Sequence, residues 1–427
     1  MKFKSLTTSI LFIALTLSFN AHAAEKEGGG QDSALSSLIS TALARNPALL
    51  SARARWQMFR ARIIPAASLD DPLLSVALNN YPVDKFRADE TPMTGKVIKL
   101  SQKFPFPGKL TAREDAARQL ALWYRGVYED QRLSLSRRVK DTWYKLYFLN
   151  KSIEITRKKA ALIKDFIKLT ETNYAVGRGL QQDVLKAQVE HSRLTDQLLQ
   201  LSQKRQTSLA RLNTLINQAP DHKLPVPTTL KDQPMTMSAA ELQRQALKKR
   251  PLFTAYKALM ASYQAKINLA RLNYRPDFKA GVAYTFREPI GTVSNGTDFA
   301  AVEIGMNIPL YRAKRDAALS GAEAGLRLVR RQYEKFRNQT AFEIHDALND
   351  MKKNQRQATL YRTGIIPQAN QSFEASMGAY QEGKVSFLTL LDNLMTLYRY
   401  EIDYYRAASD TAHDSARLEA ASGVNSL

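Results

Sequence analysis

Phe278-Lys279-Ala280-Gly281-Val282-Ala283-Tyr284-Thr285-Phe286 decides the fold, because its residues alternate in character one by one. Phe278, Ala280, Val282, Tyr284 and Phe286 fall on one face of an extended chain, and Lys279, Gly281, Ala283, Thr285 and the following Arg287 on the other. Successive side chains of a strand point to opposite faces, so this pattern predicts a two-faced β-strand. Residues 300–308 repeat it, with Ala300, Val302, Ile304, Met306 and Ile308 against Ala301, Glu303, Gly305 and Asn307. Two earlier stretches, 74–81 and 97–104, do the same: Leu74, Val76 and Leu78 oppose Ser75, Ala77 and Asn79, while Ile98, Leu100 and Phe104 oppose Lys99, Ser101 and Lys103. A run of about 10 residues is the length of a tilted transmembrane strand, with apolar faces toward lipid and small or charged faces toward water. Aromatics near the strand ends (Tyr81, Phe104, Phe106, Tyr284, Phe299, Tyr311) suit an interfacial girdle, and loops 82–96 and 288–298 then lie outside the cell. A soluble antiparallel sheet with one solvated face alternates in the same way. If the strands do enter a membrane, four cannot close a barrel, since an open edge in lipid leaves backbone groups unsatisfied and the smallest barrels have about eight. Two chains supply eight strands and three supply twelve.

The strands belong to a unit written twice. Ala42-Leu43-Ala44-Arg45-Asn46-Pro47 returns as Ala246-Leu247-Lys248-Lys249-Arg250-Pro251, an offset of 204 residues (251 − 47) that also relates Pro72 to Pro276 and Pro105 to Pro309. Tyr174-Ala175-Val176-Gly177 answers Tyr380-Gln381-Glu382-Gly383, where 383 − 177 = 206. Independent prolines do not hold one register over such a distance. The division this predicts is a first repeat over 24–217, a linker over 218–237 carrying Pro220, Pro225, Pro227 and Pro234, a second repeat over 238–421 and a tail over 422–427. Each copy reads helix, strand, loop, strand, long helix, tight turn, long helix. The opening helices are expected over 33–64 and 238–272, with exits marked by Pro65 and Pro276.

Residues 113–173 contain no proline and a single glycine, Gly126, so they predict a helix of roughly 90 Å at about 1.5 Å per residue. Val139, Trp143, Leu146, Ile153, Ala160, Ile163 and Ile167 are spaced by steps of 3, 4 and 7, a narrow apolar seam. Leu194, Leu198, Leu201, Leu209 and Leu212 mark the returning helix, and Leu390, Leu394, Leu397 and Tyr404 its counterpart. Pro367 is expected to bend the ascending helix of the second copy, since it lacks an amide donor. Hairpins this long and narrow bury their seams against neighbouring hairpins, a geometry that favours a conduit over a globular enzyme.

Lys2 and Lys4, the apolar run 10–19 and Ala21-His22-Ala23 have the form of a secretory signal peptide over 1–23, with cleavage after Ala23. No cysteine occurs anywhere, which excludes disulfides, thiolate metal sites and a cysteine nucleophile. Removing Lys2 and Lys4 lowers the formal charge from +22 to +20. The lysines and arginines are expected along amphipathic helices rather than in one patch, which argues against nucleic acid as a partner.

These residues together resemble the TolC-type outer-membrane efflux family over about 35–421. Asp71-Pro72-Leu73-Leu74-Ser75-Val76 and Leu100-Ser101-Gln102-Lys103-Phe104-Pro105-Phe106-Pro107-Gly108-Lys109-Leu110 are similar to its heavy-metal branch, which includes CzcC and CusC. The resemblance implies a homotrimer embedded in outer-membrane lipid, with a 12-stranded barrel above a periplasmic tunnel of long, coiled-coil-like helical hairpins. It further implies docking of a periplasmic adaptor (membrane fusion) protein at the helical tips and a link to an inner-membrane RND-type pump. On this reading Tyr174, Gly177, Gly179, Tyr380 and Gly383 form the tips, and Asp392, with Asp183 as its counterpart, is the candidate periplasmic gate. Some relatives carry a second aspartate where Thr389 stands here. The alternative for both aspartates is a plain ion pair with a nearby Lys or Arg.

No catalytic, cofactor or metal site is expected. After cleavage the histidines are His191, His222, His345 and His413, none with a second His or a Cys at ligand spacing, and Glu343, His345 and Asp346 do not share one helix face. The expected role is a passive, gated exit duct, with heavy-metal cations as a possible cargo. The same channel serving drugs, organic compounds or polypeptides, and a soluble periplasmic scaffold, are the competing readings.

Overall fold

The computed structural model describes residues 22–230 and 237–424, so most of the leader and part of the linker lie outside the described residues. In the first copy, α1 (His22–Arg45), α2 (Pro47–Ala61) and α3 (Ile63–Ala67) lead to β1 (Leu73–Asn79) and β2 (Gly95–Phe104), followed by α4 (Lys109–Ala175) and α5 (Gln181–Leu215). The second runs α6 (Ala239–Lys249), α7 (Pro251–Leu272), β3 (Phe278–Phe286), β4 (Phe299–Met306), α8 (Arg312–Leu360), α9 (Ile366–Gln381) and α10 (Phe387–Ser422).

The opening helices are not continuous, as the sequence had suggested. Asn46 (ψ 121°) and Arg250 (ψ 118°) leave the helical region because each precedes a proline, which crowds the preceding residue out of that conformation. Each proline then takes the first helical position, where a missing N–H costs nothing. Asn46 also caps α2, its Oδ1 accepting from the Leu49 N–H at 3.2 Å while its Nδ2 donates to the Leu215 carbonyl at 3.0 Å. Pro65 sits inside α3, and the chain turns extended only at Ser68.

At 67 residues α4 is about 100 Å long. It pairs with α5 on one side and receives α2, α7 and α10 along its length. Close approach to α7 depends on Gly126, where an added Cβ would sit 2.5 Å from the Ala255 Cβ. The predicted seam is real: Val139, Trp143, Leu146, Ile153 and Ile163 are buried. Apolar contacts form several narrow clusters strung along the helices instead of one rounded core. Ahead of Pro367 the helix loosens into a π-helical turn, Tyr361–Ile365, the usual way a helix absorbs a residue that breaks its hydrogen-bond ladder.

The four strands form one antiparallel sheet in the order β1-β2-β3-β4. The β2–β3 pairing joins the two copies and aligns Leu100 with Val282 and Ile98 with Tyr284. Leu74 pairs with Leu100 across β1–β2, and Val282 with Val302 across β3–β4, so Leu74, Leu100, Val282 and Val302 lie in one row. All four are more than 45% exposed, an apolar sheet face that none of the described residues covers. Among the described residues no helix is long and apolar enough to cross a membrane.

Candidate functional site

Sheet and helical tips lie at opposite ends of the long helices, and each offers a different chemistry. At the tips the two copies make the same turn. Gly177 (φ +71°) follows α4 and Gly383 (φ +74°) follows α9, a left-handed conformation that a side chain would strain. The Gly177 N–H donates to the Tyr174 carbonyl and the Gly383 N–H to the Tyr380 carbonyl, both at 3.0 Å. The next residues close the motif, Arg178 N–H to Asn173 O and Lys384 N–H to Ala379 O, both at 2.8 Å. Gly179 is needed for space: a Cβ there would meet Asn173 at 3.1 Å.

The turns are held together. Asn173 Nδ2 donates to the Tyr380 hydroxyl at 3.2 Å, and Phe387 packs edge-on against Phe166 within a cluster that includes Ile163, Leu194, Leu390 and Leu394. Tyr174, Val176 and Leu180 stay exposed around the first turn. Asp183 lies in the first turn of α5, where the helix end favours a carboxylate, and Asp392 is exposed on α10. Neither has an ion-pair partner among the described residues. Thr389 serves the start of α10, its N–H donating to the Ser386 capping oxygen at 3.3 Å.

Where the tube meets the sheet, a buried pair fastens the corner between β2 and α4 to the corner between α7 and β3. Lys109 Nζ donates to Asp277 Oδ1 at 2.7 Å and to the Arg275 carbonyl at 2.9 Å, and the Phe106 N–H donates to the same carboxylate at 2.9 Å. Burial pushes the Asp277 carboxyl up, but Lys109 and the Phe106 N–H outweigh it and leave the group below the ordinary aspartate value. Sequence reading missed this pair and the Asn173–Tyr380 link, since both join residues far apart in the chain. No group of His, Asp and Glu residues able to hold a metal occurs among the described residues; Asp346 pairs with Arg417 at 2.5 Å, and Glu343 with Arg250 at 3.4 Å.

The family model for the outer membrane efflux protein matches residues 38–218 and 242–424, one segment for each copy of the internal repeat. The chain belongs to the outer membrane efflux protein family. Members of this family are outer-membrane channels with a large periplasmic tunnel and are not enzymes. Within the efflux family, the chain is 20% identical over 312 residues to the cobalt-zinc-cadmium resistance protein CzcC of Cupriavidus metallidurans, covering 73% of each chain. It is 28% identical over 307 residues to the pyoverdine export outer membrane protein OpmQ of Pseudomonas aeruginosa, covering 68% of this chain and 60% of that one. In fold it matches the outer-membrane channel OprN with a TM-score of 0.78 at 19% identity, over 92% of this chain and 91% of the other.

Proposed function

We propose that this efflux-family chain is one third of a homotrimeric exit duct, serving a tripartite system with a periplasmic adaptor and an inner-membrane RND-type pump. The observation that carries this is the sheet, which among the described residues has one uncovered apolar face and two unpaired edges, β1 and β4. Edges and face are both satisfied if β4 of one subunit pairs with β1 of the next and the apolar face meets lipid. Three subunits then make a barrel of 12 strands (3 × 4) above a periplasmic tube of helical hairpins.

The tips carry the adaptor contact and the gate in this proposal. Exposed Tyr174 and the two glycine turns at Gly177–Gly179 and Gly383 present the docking surface, and Asp392, exposed and without an ion-pair partner among the described residues, lies on the throat with Asp183 close to the turn. A threefold ring of carboxylates in a narrow aqueous passage concentrates negative potential and binds multivalent cations. Replacing Asp392 with alanine is therefore expected to raise the conductance of the closed channel in planar bilayers by about threefold and to weaken block by multivalent cations. Unchanged behaviour in both measurements removes Asp392 from the gate.

For cargo, the similarity to CzcC supports heavy-metal export, and the similarity to OpmQ supports export of an organic compound. A strain lacking this chain, grown against cobalt, zinc and cadmium salts and separately against organic chelators and drugs, is expected to become sensitive to one group. Sensitivity to neither would set aside an efflux role.

A further inference from the structure

On the proposed trimer, the geometry points to an anion-selective segment at the periplasmic base of the barrel, so that the cargo traverses it as an anion. We infer this from the register of the sheet and from the placement of basic residues beside it.

Lys103 on β2 and Lys279 on β3 are direct cross-strand partners on the sheet face opposite the apolar row, and both are exposed. Like charges set directly opposite each other on a strand pair are destabilising, so this pairing costs stability unless something else compensates. The counter-charge in the subunit is insufficient. Glu303 on β4 bonds to Lys99 and lies 3.9 Å from Lys279; Lys103 has no ion-pair partner among the described residues and feels at longer range the Asp277 carboxylate, which Lys109 already holds. The charged side chains on this face of the sheet are thus three lysines and one glutamate, a net +2 for each subunit and +6 around a threefold ring. If the apolar face meets lipid, these four side chains point into the lumen, where a low-dielectric wall strengthens their field.

The adjoining helices extend the same charge. Residues 47–72, which lead up to β1, contain four arginines against Asp70 and Asp71; residues 251–277, which lead up to β3, contain four basic residues against Asp277. Residues 312–337, which descend from β4, contain eight basic residues against three acidic. Basic excess is not confined to this end, since residues 135–175 of α4, which run toward the tips, contain ten basic residues against four acidic, as the sequence reading expects; what marks the barrel base is the lysine cluster on the sheet face. A bare divalent cation is repelled by such a segment; a carboxylate-bearing compound, or a metal held in an anionic chelate, is drawn into it.

The test is the reversal potential of the purified full-length protein in planar bilayers under a potassium chloride gradient. Wild type is expected to favour chloride over potassium by on the order of 3-fold, and Lys103→Glu combined with Lys279→Glu to bring that ratio below 1. A heat-modifiable trimer band reports assembly; if the glutamate pair fails to assemble, Lys103→Gln with Lys279→Gln is expected to move the ratio part of the way toward 1. Cation preference in wild type, or an unchanged reversal potential in an assembled variant, overturns this inference while leaving the duct itself intact. A protein that conducts nothing overturns the duct and this inference with it.

Discussion

Val282→Arg is expected to remove the assembled protein from the outer-membrane fraction, while Ala301→Arg, one strand over on the opposite face, leaves it there. Val282 stands in the row Leu74–Leu100–Val282–Val302 midway along the sheet, and is 55% exposed with none of the described residues over it. An arginine on the lipid side near the bilayer midplane costs about 2–4 kcal/mol, and a trimer incurs that cost three times. Ala301 faces the side that carries Lys99 and Glu303, where a charge is hydrated. Membrane fractionation with heat modifiability on gels measures both variants. In a soluble scaffold the two substitutions would behave alike, so equal behaviour would reject the barrel.

The second large effect is expected at the joint between tube and sheet. Lys109→Met should destabilise the protein by about 3–5 kcal/mol, the cost of leaving a buried charge without its partner. Lys109 is 3% exposed and Asp277 14%, so little water reaches the orphaned carboxylate. The Phe106 N–H would remain as its donor among the contacts described above. The readout is the temperature at which the proposed trimer dissociates, with Asp277→Asn as the milder companion that keeps an acceptor in place. Acid should bring wild type and Lys109→Met closer together. The Asp277 carboxyl titrates below its unfolded value, so its contribution is complete above about pH 3.9 and fades as pH falls through the lower, folded value. Wild type should therefore lose thermal stability in strong acid, and Lys109→Met should show a shallower loss over the same range. A variant as stable as wild type at neutral pH would show that the pair holds nothing.

Much of this architecture was legible in the sequence because it is periodic. Alternation in 278–286 and 300–308 is a local pattern set by the backbone, and β3 and β4 occupy Phe278–Phe286 and Phe299–Met306. The glycine turns were equally open to reading, since a left-handed residue after a long helix nearly names its own amino acid. The breaks at Asn46 and Arg250 were missed although Pro47 and Pro251 had been noted as repeat markers; their steric effect on the preceding residue was not carried through. Register was out of reach. That Lys103 faces Lys279, 176 residues away (279 − 103), or that Lys109 reaches Asp277, follows only once two distant corners are brought together.

The π-helical turn at Tyr361–Ile365 makes the two halves of the chain mechanically unlike. On the first copy's side, α4 runs unbroken to its turn and behaves as a stiff rod. Its counterpart has a softened joint, with the 16 residues of α9, about 24 Å, between it and the end. A force applied at that end bends one limb at a fixed point and merely tilts the other. In a ring of three subunits, flexing struts would alternate with rigid ones, so the periplasmic mouth could widen while its outline is kept.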